Sequence, residues 1–163
     1  MRILGVDPGT AACGYGVVAK ADGHFVALEY GLITTPSSHA TSERLRTIYR
    51  EILDIIGRWH PDRVAVEEVF FARNAKTAMA VGQARGVVML AAALAGVPVV
   101  EYTPLEVKKS VTTYGRGPKE QVGQMVAIIL GLPEVPRPDD VADALAVALC
   151  DAFRAEARLG AAP

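Results

Sequence analysis

The stretch Ile3-Leu4-Gly5-Val6-Asp7-Pro8-Gly9 restricts what this chain can fold into more than any other. Ile3, Leu4 and Val6 are apolar without alternating polar partners, and Gly5 adds no side chain. Such a strand belongs in a parallel or mixed sheet that is covered on both faces. Pro8-Gly9 breaks it at once. A carboxylate, Asp7, is therefore delivered to the end of a core strand. A charge in that position needs donors, a cation or a metal beside it. Asp-Pro-Gly is also ordinary turn chemistry, so this stretch alone leaves a turn-forming Asp as plausible as a functional one.

The length, 163 residues, fits one domain. It is expected over residues 1–157, with 158–163 as a short C-terminal tail. Hydrophobic residues make up 51% and charged ones 21%, which excludes a disordered chain. A formal net charge of -1 excludes an overall basic surface, so any contact with nucleic acid has to come from a local patch. Cys13 and Cys150 lie far apart with no CxxC spacing, which points to neither a disulfide framework nor a zinc site. The N-terminus starts a strand and not a signal peptide. The apolar run Gly86–Val100 is too short for a membrane span. The expectation is a cytoplasmic protein without a membrane segment.

Gly14–Ala19 reads as a second strand, Ala21-Asp22-Gly23 as a hairpin turn and Phe25–Ile33 as a third strand, giving an antiparallel meander. Gly14 and Gly16 either allow another element to approach closely or mark a bulge, and the bulge is the expectation. Thr41 or Ser42 is expected to cap a helix whose stripe is Leu45, Ile48, Tyr49, Ile52, Ile55, Ile56 and Trp59. His60-Pro61 stops it. Arg63–Val69 is a fourth strand, Lys76–Ala95 a helix rich in Ala and Gly, and Val97–Tyr102 a fifth strand. Three further helices follow: one from Thr103-Pro104 to about Val111, Lys119–Leu130, and Val141 to about Ala157. The small residues Ala78, Gly82 and Gly86 permit a second helix to pack closely, within the subunit or across a dimer.

The strand–helix–strand order makes the fourth strand parallel to the first. Glu67 then stands at the same carboxyl end of the sheet as Asp7, where open α/β sheets collect ligands. Asp140 and Asp143 are three residues apart and share a helix face. First-turn acids suit the helix dipole, which explains Asp140 without a function. Asp143 lies in the apolar run Ala142–Cys150 and has no such explanation. Four converging carboxylates need counter-charge, and hard Mg²⁺ or Mn²⁺ supplies it. Two such ions can promote phosphodiester cleavage.

The element order and the motifs Gly5-Val6-Asp7-Pro8-Gly9, Gly14-Tyr15-Gly16, Glu67-Glu68-Val69-Phe70, Gly82-Gln83-Ala84-Arg85-Gly86, Val107-Lys108 and Asp140-Val141-Ala142-Asp143-Ala144 resemble the RuvC family of Holliday-junction resolvases. That family belongs to the ribonuclease H-like superfamily. The resemblance runs from Ile3 to about Phe153. It implies a ribonuclease H-like α/β fold, a five-stranded mixed sheet flanked by helices. It also implies a metal-dependent endonuclease that resolves four-way junctions in recombination and repair. Asp7, Glu67, Asp140 and Asp143 would be catalytic residues and ligands of Mg²⁺, or Mn²⁺, with two ions per subunit. Phe70, Arg73, Asn74, Lys108 and Lys119 would contact DNA, with Phe70 stacking at the junction centre. The implied partners are four-way junction DNA, a second copy in a homodimer, and the RuvA–RuvB branch-migration complex. Two rivals are a ribonuclease H-like RNA-processing nuclease and an actin-like ATPase, whose first phosphate loop Asp7-Pro8-Gly9-Thr10 would fit.

Overall fold

The computed structural model describes residues 1–68, 75–112 and 119–160, without the side chains at 75, 119, 159 and 160. Its elements are β1 (Arg2–Asp7), β2 (Ala12–Ala21), β3 (His24–Thr34), α1 (Thr41–Trp59), β4 (Arg63–Glu67), α2 (Ala75–Leu94), β5 (Val99–Tyr102), α3 (Pro104–Val111), α4 (Lys119–Leu130) and α5 (Asp139–Gly160). The sheet order is β3-β2-β1-β4-β5. β1, β2 and β3 pair antiparallel, whereas β4 is parallel to β1 and β5 to β4. The expected five-stranded mixed sheet is therefore present, with β1 at its centre.

β1 is apolar on both sides because both sides are covered. Ile3 joins a core built mainly on α5, with Val107 and Val111 of α3 and Val122, Val126 and Leu130 of α4. Leu4 and Val6 join the opposite core, with Ile48, Ile52 and Ile56 of α1 and Val88 and Ala91 of α2. Each fully buried aliphatic side chain contributes on the order of 1.5–3 kcal/mol. The alternation also sorts the functional positions. Residues 3, 5 and 7 of β1 face α5, and register places residues 63, 65 and 67 of β4 on that same side.

Several expectations need correction. Gly14 and Gly16 do not mark a bulge. The irregularity in the β2–β3 pairing lies between Val17 and Val18. The two glycines instead lie beneath α5, where a Cβ on Gly16 would come within 2.4 Å of Leu145. Neither Thr41 nor Ser42 caps α1; the N-cap is Ala40, which has no side-chain acceptor to offer. His60 does end α1, in a left-handed conformation with φ 46°, and it is exposed. β4 ends at Glu67, two residues before the expected limit. α5 begins at Asp139 and runs to Gly160, so the first three residues of the expected tail are helical. Residues Lys76–Leu94 of α2 are long and apolar enough to cross a membrane by length and composition. The run Gly86–Val100 understated that length, because the helix starts eleven residues earlier and only Lys76 and Arg85 are charged in it. Cys13 and Cys150 are free and buried in opposite cores.

Candidate active site

Parallel pairing brings the first two acids together. The register runs Ile3↔Arg63 to Val6↔Val66, so Asp7 and Glu67 follow as the next pair in line. Both point toward α5 and both are half-buried. Glu68 is on the other side, and its backbone N–H donates to the Tyr102 carbonyl at 2.8 Å.

The first turns of α5 bring Asp140 and Asp143 to the same rim. Gly14 pairs with Asp7 across the antiparallel ladder, and the Asp140 carbonyl lies over Gly14. Pro138-Asp139 starts the helix there, with the Asp139 carboxylate held by Arg137 at 2.9 Å. Asp140 and Asp143 are both half-buried. The Cys13 thiol senses two of these charges. Burial pushes its pKa up to about 12, a hydrogen bond with the Gly9 backbone opposes that, and the Asp7 and Asp140 carboxylates reinforce it.

Glu67 and Asp143 line one cleft of about 180 Å³ together with Lys108 and Val107 of α3. That volume holds several waters around an ion. α3 is placed by a capping box: Thr103 Oγ1 accepts from the Glu106 backbone N–H at 3.2 Å, and the Glu106 carboxylate accepts from Thr103. Asp140 lines a separate groove on the far side, against Gly9–Ala12. Among the described residues, no three His, Cys, Asp or Glu side chains come together closely enough to form a ready ligand cage. Like charges on one rim repel each other. The donor set itself, four half-buried carboxylates and no thiolate or imidazole, fits a hard divalent cation.

Asp151 is a feature that sequence reasoning passed over. It lies on α5, is 1% exposed, accepts from Tyr102 Oη at 2.7 Å and stands 3.1 Å from Arg63 Nε. Tyr102 is the register partner of Glu67. Burial, and then the hydrogen bond to Asp151, push the Tyr102 phenol above its usual range. A buried carboxylate held this way ties α5 to the start of β4 and the end of β5. Its sequence signal was an acid interrupting the apolar face that runs on from Ala144. Of the expected DNA contacts, Lys108 lines the acid cleft, and Lys119 opens α4 with its side chain outside the described set. Phe70, Arg73 and Asn74 lie outside the described residues.

An α/β/α protein with acids at the carboxyl ends of two adjacent parallel strands, faced by two more on a helix, has the architecture of a ribonuclease H-like nuclease. Comparison with known proteins narrows this. The family model for crossover junction endodeoxyribonuclease RuvC matches residues 3–151. The chain belongs to the RuvC family. It is 60% identical over 152 residues to crossover junction endodeoxyribonuclease RuvC of Moorella thermoacetica, covering 93% of this chain and 91% of that protein. It is 57% identical to the protein of the same name from Alkaliphilus oremlandii, covering 93% of each. Among solved structures, Thermus thermophilus RuvC in complex with a Holliday junction substrate superposes with a TM-score of 0.88 at 41% identity, covering 96% of each chain. The yeast mitochondrial Holliday junction resolvase Ydc2 shares the fold, with a TM-score of 0.62 at 10% identity, covering 97% of this chain and 85% of that one.

Proposed function

We infer that this chain is the crossover junction endodeoxyribonuclease of its source, and that it resolves four-way DNA junctions with the four carboxylates as its catalytic centre. The observation that carries the reading is the meeting of Asp7 and Glu67, in register on adjacent parallel strands, with the acidic start of α5. Asp7, Glu67, Asp140 and Asp143 are the residues to hold divalent metal, Mg²⁺ or Mn²⁺, with two ions per subunit. Held by these residues, such ions would supply counter-charge for the carboxylates and activation of a water molecule. The chain's own part is to fix the donors on two strands and one helix, and to place Lys108 beside Glu67 and Asp143 for a DNA phosphate. Lys119, Arg73 and Asn74 extend that contact, and Phe70 stacks on an unpaired base at the crossover.

The chain acts as a homodimer through α2. Ala84, Val88, Ala91 and Ala92 are buried against the subunit, whereas Met79, Leu90 and Leu94 are 68%, 52% and 66% exposed. A Cβ on Gly82 or Gly86 would meet nothing within 4 Å. Gly82, Gly86, Leu90 and Leu94 follow helical spacing, so one outer face is apolar and has small residues for close packing. A second α2 related by a two-fold axis fits that face and gives two cutting sites with the symmetry of the junction. This also accounts for a helix apolar enough to span a membrane. The family resemblance supports a place beside the RuvA–RuvB branch-migration complex in the cytoplasm.

The actin-like rival is disfavoured by Thr10. Its side chain is buried and donates to the Ala80 carbonyl at 2.7 Å instead of opening onto a nucleotide. The deciding experiment offers a labelled four-way junction, linear duplex DNA and linear RNA, each with and without Mg²⁺. Paired nicks in opposing junction strands, dependent on metal, are expected. Cleavage of RNA in preference to the junction would overturn the reading.

A further inference from the structure

A second groove borders the acids on the side away from Lys108. It holds about 480 Å³, within the range of roughly 300–1,000 Å³ usual for ligand sites. Its walls include Arg44 of α1, Lys76 and Thr77 of α2 and the Gly9–Ala12 loop, and Asp140 lies at the end nearest the catalytic rim. Its floor is tied together. Thr10 Oγ1 donates to the Ala80 carbonyl at 2.7 Å, Thr35 Oγ1 donates to the Thr10 carbonyl at 2.5 Å, and Arg44 Nε donates to Thr35 Oγ1 at 2.8 Å. The last bond sets the plane of the Arg44 guanidinium at the groove wall, which suits the forked recognition of an anion. The described residues that line it are small, hydroxyl-bearing or cationic apart from Asp140 and Val81. Its chemistry suits the sugar–phosphate backbone.

Asp140 and Asp143 are one helical turn apart, and each opens onto a different cleft. The acids thus lie between two cationic banks, Lys108 on one side and Arg44 with Lys76 on the other. We propose that the Arg44–Lys76 groove is a second phosphate site, which grips the cut strand on the side of the scissile phosphate opposite Lys108. The proposal rests on the junction-cutting reading above. It gives that reading a polarity, because the strand has to cross the α5 N-terminus from one bank to the other.

The test measures binding of a four-way junction in EDTA across a series of salt concentrations, with wild type, Lys76→Gln, Lys76→Glu and Arg44→Gln. Each lost phosphate contact lowers the slope of log affinity against log salt by about 1. Lys76→Gln and Arg44→Gln should each show that loss, and Lys76→Glu a larger drop in affinity. Lys76 is exposed, so its variants test the groove even if Arg44→Gln disturbs Thr35. Single neutral methylphosphonate linkages placed either side of the cut identify the contact. One of them should weaken wild-type binding several-fold and leave Lys76→Gln binding unchanged. An unchanged salt slope in both Lys76 variants, with wild type still cutting junctions, would overturn the groove alone. Saturable binding of ATP that Lys76→Gln abolishes would overturn it in favour of a nucleotide site. Failure of wild type to cut junctions would instead overturn the function itself.

Discussion

The Asp140 carbonyl oxygen lies 2.0 Å from the position that a Cβ on Gly14 would occupy. Backbone stands against backbone there, so no rotamer change can relieve the clash. Gly14→Ala should push the start of α5 away from β2 and carry Asp140 with it. Overpacking of this kind costs about 1–3 kcal/mol, and each kcal/mol lowers Tm by roughly 2–4 °C at this chain length. Junction cutting measured well below Tm should fall by more than the folded fraction does. Normal cutting would show that Asp140 need not sit where the helix now places it.

Asp7→Asn keeps shape and removes charge. It should fold, bind a four-way junction and lose nearly all cleavage, since the carboxylate set no longer supports metal-assisted hydrolysis. Glu68→Gln is the control, because strand alternation turns Glu68 away from α5. It should cut almost normally. Gel-based cleavage in Mg²⁺ checks both, and Asp7→Asn cutting at the normal rate would return Asp7 to a turn residue.

Leu90 and Leu94 test the dimer. Leu90→Glu places a charge on the outer face of α2, where the wild-type side chain is 52% exposed. The subunit should keep its fold by circular dichroism and sediment as a monomer at micromolar concentration, and wild type should sediment there as a dimer. Unchanged sedimentation would place the subunit contact elsewhere.

Glu29 governs part of the acid stability. It accepts from Tyr15 Oη at 3.0 Å, Arg58 at 2.7 Å and Trp59 Nε1 at 2.6 Å. Burial pushes its pKa up, but the bonds from Trp59, Arg58 and Tyr15 outweigh this and hold it below the usual range. A carboxyl with a lowered folded pKa stabilises above its unfolded value and loses that contribution as pH falls through the folded one. The Tm advantage of wild type over Glu29→Gln should therefore be full at neutral pH and shrink below about pH 4.5. A constant difference from pH 7 to pH 3 would remove Glu29 from that role.

The sheet and the acids were readable because each leaves a local trace. A strand apolar on both sides announces its central place, and Asp143 stands out against the apolar run around it. The role of Gly14 was not readable, since a glycine carries no mark of the helix that will cross it 126 residues later. Asp151 was not readable either, because its partners Tyr102 and Arg63 come to it from two strands. Arg44 and Lys76 lie on two separate helices, and nothing in the sequence marks that both line one groove.

Gly5 settles a matter that hydrophobicity leaves open. A strand with polar residues on one side resists slipping, because a one-residue shift turns its apolar set to water. β1 has no such protection: Leu4 or Val6 would be as well buried on the α5 side as on the other. What forbids the slip is that a Cβ at this place would stand 2.1 Å from the Ala144 carbonyl oxygen and 2.8 Å from Ala148 Cβ. Only a residue without a side chain can occupy it, so the strand has one frame that closes. Asp7 follows two residues later and inherits its side of the sheet from that frame. A residue with no functional group thereby decides on which surface of the molecule the chemistry is displayed. Exchanging Gly5 would misdirect the acid while leaving every catalytic residue in the sequence.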